Sequence, residues 1–303
     1  EDVGLKIHPN GSVYVFPNIG GFVGGVTVAG ILAATMHVTD KPLILVDIGT
    51  NGEIVLAHNG RLLATSTAAG PAFEGARITN GMRATEGAIE KVVYADGDLS
   101  CNVIGNVRPR GLCGTALIDV TAELLRLGVL DSTGRIRPPE DLPETVPQAV
   151  TKRLVQHDDT VDFTLVSARD SGTDEAICLY QKDVRELQLA SGAIRAGIGI
   201  MLRKAGLAIE DVHEVLLAGA FGNFIRRRNA RRIGLLPPLP QAQIRFIGNA
   251  ASMGAKAVLL SRNFRALADD IALKAEHVDL SSDPEFQMEF GMAMMFPDQE
   301  LAD

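Results

Sequence analysis

Residues 43–57, LILVDIGTNGEIVLA, constrain this chain more than any other stretch. Two apolar runs, 43–46 and 54–57, flank a short turn with two glycines, which is the pattern of a β-hairpin. An acid, Asp47, closes the first strand. Gly49 and Gly52 lack a Cβ and tolerate positive φ, so the backbone amides of Thr50, Asn51 and Gly52 are expected to approach an anion closely. A carboxylate at the mouth of such a turn suits magnesium, which takes one or two carboxylate oxygens and shares the rest of its shell with phosphate and water. An ordinary glycine-rich hairpin uses the same letters, so these residues alone leave a phosphate cradle and a plain turn as alternatives.

At 303 residues the chain is long enough for one large domain or two ordinary ones. Its 22% of charged residues and its wealth of aliphatic residues, Gly and Ala are those of a globular protein. A net charge of -8 would repel a phosphate backbone, which argues against a nucleic-acid partner. Cys101, Cys113 and Cys178 lie far apart with no C-x-x-C pair, so buried reduced thiols in a cytoplasmic protein are expected, not a zinc site or a cysteine-held cluster. No signal peptide opens the chain, and it starts at Glu1, as a piece of a longer protein would.

Along the chain, GSVYVFP at residues 11–17 reads as a short strand stopped by Pro17. No charge occurs from Asn18 to Met36, a stretch approaching membrane-spanning length. Gly20, Gly21, Gly24, Gly25 and Gly30 instead suit a buried helix lying close against a sheet, and no membrane is expected. After the hairpin, RLLATSTAAGPAFEGARITNGM gives a further strand and a loop punctuated by Gly70-Pro71 and Gly75, placed to line a site. In residues 110–130, Leu117, Val120, Leu124 and Leu127 share a helical face, and Gly128 is set to end the helix. Cys113 at its start has the setting of a reactive thiol, although a small side chain packed in a glycine-rich turn is the commoner case.

Residues 131–163, rich in Pro, Asp and Glu, read as a surface excursion. The strongest helical period spans 183–207, with Asp183 as N-cap and Gly206 as the stop. EVLLAGAFGNFI at 214–225 reads as a buried strand entering a glycine-rich turn, where Gly219, Ala220, Phe221, Gly222 and Asn223 would let a flat ring or a phosphate reach the backbone. RRRNARR follows; a solvated helix face is the simpler reading, and an anion or partner site the alternative. QIRFIGNAASMGAKAVLLS then pairs a strand with a helix, and the repeated order of strand, glycine-rich turn and helix is α/β architecture. In the tail, EFQMEFGMAMMFP at 285–297 puts Phe286, Met288, Phe290, Met292, Met294 and Phe296 on one face if extended. Such a row is either a strand packed in its own domain or a surface for a homodimer or a partner.

With DIGTNGE in a hairpin, LAGAFGN after a later strand and the GNAASMGA helix behind it, the chain resembles the actin, Hsp70 and sugar-kinase ATPase superfamily. More narrowly, it resembles the C-terminal ATPase region of the reductive activators of corrinoid proteins. FPNIGGFVGG, STAAGPAFEGARITNGMRATEGAIE, GLCGTALID, DVRELQLASGAI, LLAGAFGNF and EFGMAMMFP carry that likeness over nearly the whole chain. The resemblance implies an α/β, ribonuclease H-like mixed sheet flanked by helices, with ATP and Mg²⁺ as cofactors. It makes 43–57 the second phosphate loop, with Asp47 as metal ligand and Gly49, Thr50, Asn51, Gly52 and Gly70 at the phosphates. Residues 217–223 become the adenosine motif, with Gly219, Ala220, Phe221, Gly222 and Asn223 at the nucleoside. Glu53 and Glu74 are the candidates for positioning the attacking water.

D-I-G-T occurs once, so the superfamily's earlier hairpin is expected in a first subdomain upstream, with a linker and a 2Fe-2S domain. Residues 1–303 would then be the C-terminal part of an actin-like ATPase domain. The implied function is the ATP-dependent return of Co(II) corrinoid proteins of methyl transfer to Co(I), with the corrinoid protein as partner. A small-molecule kinase of the same superfamily and a non-catalytic docking module are the alternatives. A kinase needs a catalytic Asp in a clearly placed loop, and none beyond Asp47 stands out.

Overall fold

The computed structural model describes residues 4, 6–219, 225–236 and 243–298. Helix α1 (Gly25–Ala33) precedes the strands β1 (Leu43–Ile48), β2 (Gly52–His58) and β3 (Arg61–Thr67). A second group holds β4 (Ala88–Ala95), β5 (Asp98–Val103), β6 (Gly111–Leu112), α2 (Gly114–Leu127), α3 (Gln148–Thr151), β7 (Leu154–Gln156), β8 (Val161–Val166) and β9 (Ile177–Leu179). Helix α4 (Gln181–Ala205) leads to β10 (Glu214–Ala218), α5 (Arg227–Arg232), β11 (Gln243–Gly248), α6 (Ala250–Leu260), α7 (Arg262–Lys274), β12 (Glu276–His277) and α8 (Phe286–Ala293).

The central sheet runs β11-β10-β1-β2-β3-β12. β1, β2 and β3 form an antiparallel meander, while β10 pairs parallel with β1, and β11 parallel with β10. This is the mixed sheet flanked by helices that the resemblance implies. Alternation along β1 divides its side chains between two cores. Ile44, Val46 and Ile48 join a large core with Ile194, Ile198 and Met201 of α4. Leu43 and Leu45 face a second core with Val28, Ile31, Val258 and Ile271 of α1, α6 and α7. A strand covered on both faces reads as an unbroken apolar run, which is why LILV carries no polar residue.

Small residues set the helix spacing. A Cβ on Gly254 would lie 2.1 Å from the Ala29 carbonyl oxygen, so α6 crosses α1 backbone to backbone. Gly30 brings α1 onto the sheet, with its Cβ position 3.3 Å from Leu45 Cδ2. α1 has nine residues, and no helix among the described residues is long and apolar enough to cross a membrane.

Four expectations need correction. Residues 11–17 join no ladder: the alternation is real, but Tyr14 and Phe16 pack on the second core without a partner strand, and Tyr14 donates to Asp269 at 2.7 Å. Residues 131–163 are more than a surface excursion, because Val146, Val150, Val161 and Phe163 are buried in the large core and β7, β8 and β9 make a small sheet. Pro and acidic residues mark its loops and hide the anchors between them. Asp183 sits at the third position of α4, not at its cap; its carboxylate accepts from the amide of Tyr180, the capping residue, at 3.1 Å. The tail is the helix α8, not an extended strand. It docks on α4 because Gly192 leaves room, a Cβ there meeting the Ala293 and Met294 backbone at 3.2 Å.

Gly254→Val should lower stability by about 3 kcal/mol, since the clash is with backbone and the two helices must separate. Gly291→Ala is the control: nothing lies within 4 Å of its Cβ position on α8, so alanine should stabilise by roughly 0.5–1 kcal/mol. Thermal unfolding of both variants checks the pair.

Candidate functional site

β1 is central and parallel to its neighbour β10, so the carboxyl ends of both strands open at one edge of the sheet, where α/β folds bind ligands. There the chain turns through Gly49, Thr50 and Asn51, and the last two are exposed. The Gly49 amide donates to the Asn51 carbonyl at 3.0 Å. Neither Gly49 nor Gly52 has positive φ. The expected cradle is therefore smaller than the sequence suggested: the Gly49 amide is used inside the turn, Gly52 stands in the ladder opposite Ile48, and the Thr50 and Asn51 amides remain at the tip. Gly52 is required by packing, because a Cβ would lie 2.9 Å from Ile194 Cγ1 and from Thr67 Oγ1.

Asp47 stands directly opposite Glu53, on the same face of the hairpin. Burial holds both carboxyls above the usual carboxylate range, and the Asp47 charge pushes Glu53 further up. No cation is among the causes acting on either group. Two half-buried acids facing one another fit a divalent ion that takes one or two carboxylates and completes its shell with phosphate and water. Among the described residues no three His, Cys, Asp or Glu side chains converge, so an all-protein cage is not the donor set here. The tip of β10 presses on the same spot: Gly219 has φ +99, and a Cβ on it would meet Ile48 O at 2.7 Å and Asp47 Oδ1 at 3.0 Å.

Glu74 joins the turn from another element. The Thr50 hydroxyl donates to its carboxylate, 2.9 and 3.0 Å from the two oxygens, and the Gly70 amide donates to the Thr50 carbonyl at 2.8 Å. Gly70, at φ 78 and ψ 169, holds a conformation open in practice to glycine alone, and it starts the Pro71–Glu74 turn. Gly114, at the start of α2, packs so tightly on this turn that its Cβ position is 1.9 Å from Phe73 O. Asp183 fixes the far end of the loop, accepting from the amide and the hydroxyl of Thr79, each at 2.8 Å. Glu74 is thus placed by a loop clamped at both ends.

Glu74 also lines a cavity of about 820 Å³ walled by β4, β5 and the first half of α2. Its wall includes Arg83, Lys91, Asn102, Cys113, Asp119 and Arg226. Cys113 is buried at the start of α2 with Sγ 3.1 Å from the Thr115 hydroxyl oxygen, as the packed-turn reading expects. The arginine run is only in part the solvated face expected of it: Arg227 and Arg228 are exposed, but Arg226 is ion-paired with Asp119 at 2.8 Å, Asn229 bonds the same carboxylate, and Arg232 is buried. Sequence reasoning missed Asp119, although one acid inside the apolar run GTALIDVTA was itself a signal that a buried partner exists. Ala220, Phe221, Gly222 and Asn223 lie outside the described residues.

A ribonuclease H-like mixed sheet with a glycine turn and an acid at the end of its first strand defines an ASKHA domain. Residues 41–303 match the family described as the C-terminal domain of RACo, the ASKHA domain, and residues 1–39 match the RACo middle region. This chain belongs to the RACo family. It is 38% identical over 301 residues to the corrinoid activation enzyme RamQ of Eubacterium limosum, an alignment covering 99% of this chain and 50% of that protein. A Co(II) methylated amine-specific corrinoid protein reductase of Methanosarcina barkeri is 26% identical, over 94% of this chain and 52% of that protein. A solved reductive activator for a corrinoid, iron-sulfur protein superposes with a TM-score of 0.83 at 35% identity, covering 97% of this chain and 46% of that one. The chain therefore spans about half the length of the relatives it matches.

The facing acids have a measurable consequence. Their folded pKa values are raised, so the stability they contribute is fully present below the ordinary carboxylate range and is lost as pH rises through the folded values. Without magnesium, Asp47→Asn should unfold a few degrees higher than the parent at about pH 7, and the gain should shrink toward about pH 4, in the ordinary carboxylate range. Calorimetric melting at the two pH values measures it.

Proposed function

We propose that this chain is the nucleotide-binding half of an ATP-dependent activator that returns the cobalt of a corrinoid protein from Co(II) to Co(I). The observation that carries the reading is the continuity of the hairpin tip, the facing acids and the Glu74-lined cavity, in a chain 38% identical to a corrinoid activation enzyme. In this reading the Thr50 and Asn51 amides hold phosphate oxygens, and Asp47 binds Mg²⁺ directly or through water, with Glu53 beside it. Magnesium, when bound, supplies the positive charge that offsets the phosphate oxygens. Glu74, fixed by the Thr50 hydroxyl, orients water at the same tip. The nucleoside lies in the Glu74-lined cavity.

The chemistry on cobalt is a one-electron reduction. A 2Fe-2S cluster upstream of this chain, which the resemblance implies, would supply that electron. The contribution of the present residues is coupling: a nucleotide held between this chain and the upstream subdomain favours one arrangement of the two, and a docked partner that fits that arrangement better is stabilised with it.

In the full-length protein, with its corrinoid protein, a reductant and Mg-ATP, Asp47→Ala should slow the appearance of Co(I) absorbance by roughly tenfold or more without lowering the melting temperature. A parent-like rate would remove Asp47 from the site. This chain alone should turn over ATP far more slowly than one extended upstream, because one phosphate hairpin contacts one side of the triphosphate and phosphoryl transfer depends on positioning from both. Equal turnover of the two would place the whole site within these residues.

A further inference from the structure

We propose that Asp119 and Asn229 are positioning residues that hold the Arg226 guanidinium at the cavity wall, where it contacts the nucleoside end of the nucleotide. The proposal rests on the nucleotide reading given above and assigns that site a group which its phosphate end does not supply.

Asp119 is 3% exposed in the middle of α2, where its neighbours are apolar. A carboxylate so placed persists only with strong compensation. It has four donors: Arg226 Nε at 2.8 Å and Asn229 Nδ2 at 2.6 Å to Oδ1, and the Val92 amide at 3.1 Å and Arg226 Nη2 at 2.8 Å to Oδ2. Arg226 Nη2 also donates to the Val92 carbonyl. The guanidinium is therefore held as a planar fork, fixed by a carboxylate on α2 and by the backbone of β4. Lysine would supply the charge without the plane.

The direction in which this group is aimed gives it a role beyond packing. Arg226 keeps 31% of its side-chain surface exposed and lines the cavity, as does Asp119 beneath it. Its neighbours in the run are used differently: Arg227 lies over the Phe246 ring at 5.8 Å, and Arg232 is buried. Glu74 lines the same cavity, and it is bonded to Thr50 of the hairpin turn. A ligand with its phosphates at Thr50 and Asn51 that fills this cavity brings its ribose and base toward Arg226. A planar cation stacks on a base or bonds a ribose oxygen, and it does either best when its orientation is set in advance.

A purely structural ion pair would stabilise the fold and affect every ligand of the site alike. A positioning role affects only the nucleoside end, so the decisive comparison is between ATP and inorganic tripolyphosphate. Both are titrated calorimetrically with magnesium into the full-length protein. Asp119→Asn, which keeps the shape and loses the charge, should weaken ATP about tenfold and leave tripolyphosphate within about twofold of the parent; Arg226→Lys should do the same. Equal losses for the two ligands, or an unchanged ATP affinity in folded Arg226→Lys protein, overturn the proposal. Should Asp119→Asn fail to fold, Asn229→Ala with Arg226→Lys decides between the same outcomes. A parent that binds neither ligand would instead refute the nucleotide reading itself, a result separable from any variant effect.

Discussion

Strand β1 is buried on both faces, and most of the site follows from where that burial stops. Over Leu43 to Val46 there is no room for a polar group, because α4 covers one face and α1, α6 and α7 the other. Asp47 is the first residue that escapes the apolar layers, and Glu53 faces it across the hairpin. Two like charges set directly opposite destabilise a sheet, and partial burial deepens the cost. Such a pair at the open end of the central strand is the kind of locally unfavourable arrangement that proteins keep at functional positions.

The remaining parts of the site are brought to that strand end by close backbone contacts. Gly219 lets β10 come against Ile48 and Asp47, Gly52 lets α4 lie on the hairpin, and Gly114 lets α2 abut the turn that carries Glu74. None of these approaches survives a Cβ. Two buried carboxylates then tie these elements together. Asp183 joins the 70–82 loop to α4, and Asp119 joins α2 and β4 to the start of α5. Each is satisfied by several donors, which is the condition under which an internal charge adds rigidity instead of instability. The cavity wall is thus built from packed elements whose relative placement depends on a few polar ties.

Much of the fold was legible in the residues. The hairpin, β10 and α4 lie within a few residues of where periodicity and glycine placed them, since long periodic or wholly apolar segments have few alternative folds. Misreadings arose where a local pattern fits two structures. EFQMEFGMAMM alternates like a strand, yet Gly192 on α4 offers a groove for a helix, and the packing decides. GSVYVFP is rich in strand-forming residues as well, but among the described residues it joins no ladder. The arginine run looks solvated because its partner, Asp119, is 107 residues away.

The sequence by itself determined the acid, the glycines and the apolar strands of the 43–57 hairpin, because those depend on φ/ψ freedom, side-chain period and turn length, all of which are local. It also determined family membership through motifs spread along the chain. Only the tertiary structure decided that the Gly49 amide is used within its own turn, that Thr50 and Glu74 share a hydrogen bond, and that Asp119 and Arg226 form one wall of a cavity. Each of those facts is a distance between groups remote in sequence or a choice between competing hydrogen-bond partners, and such choices are made by packing the whole chain at once.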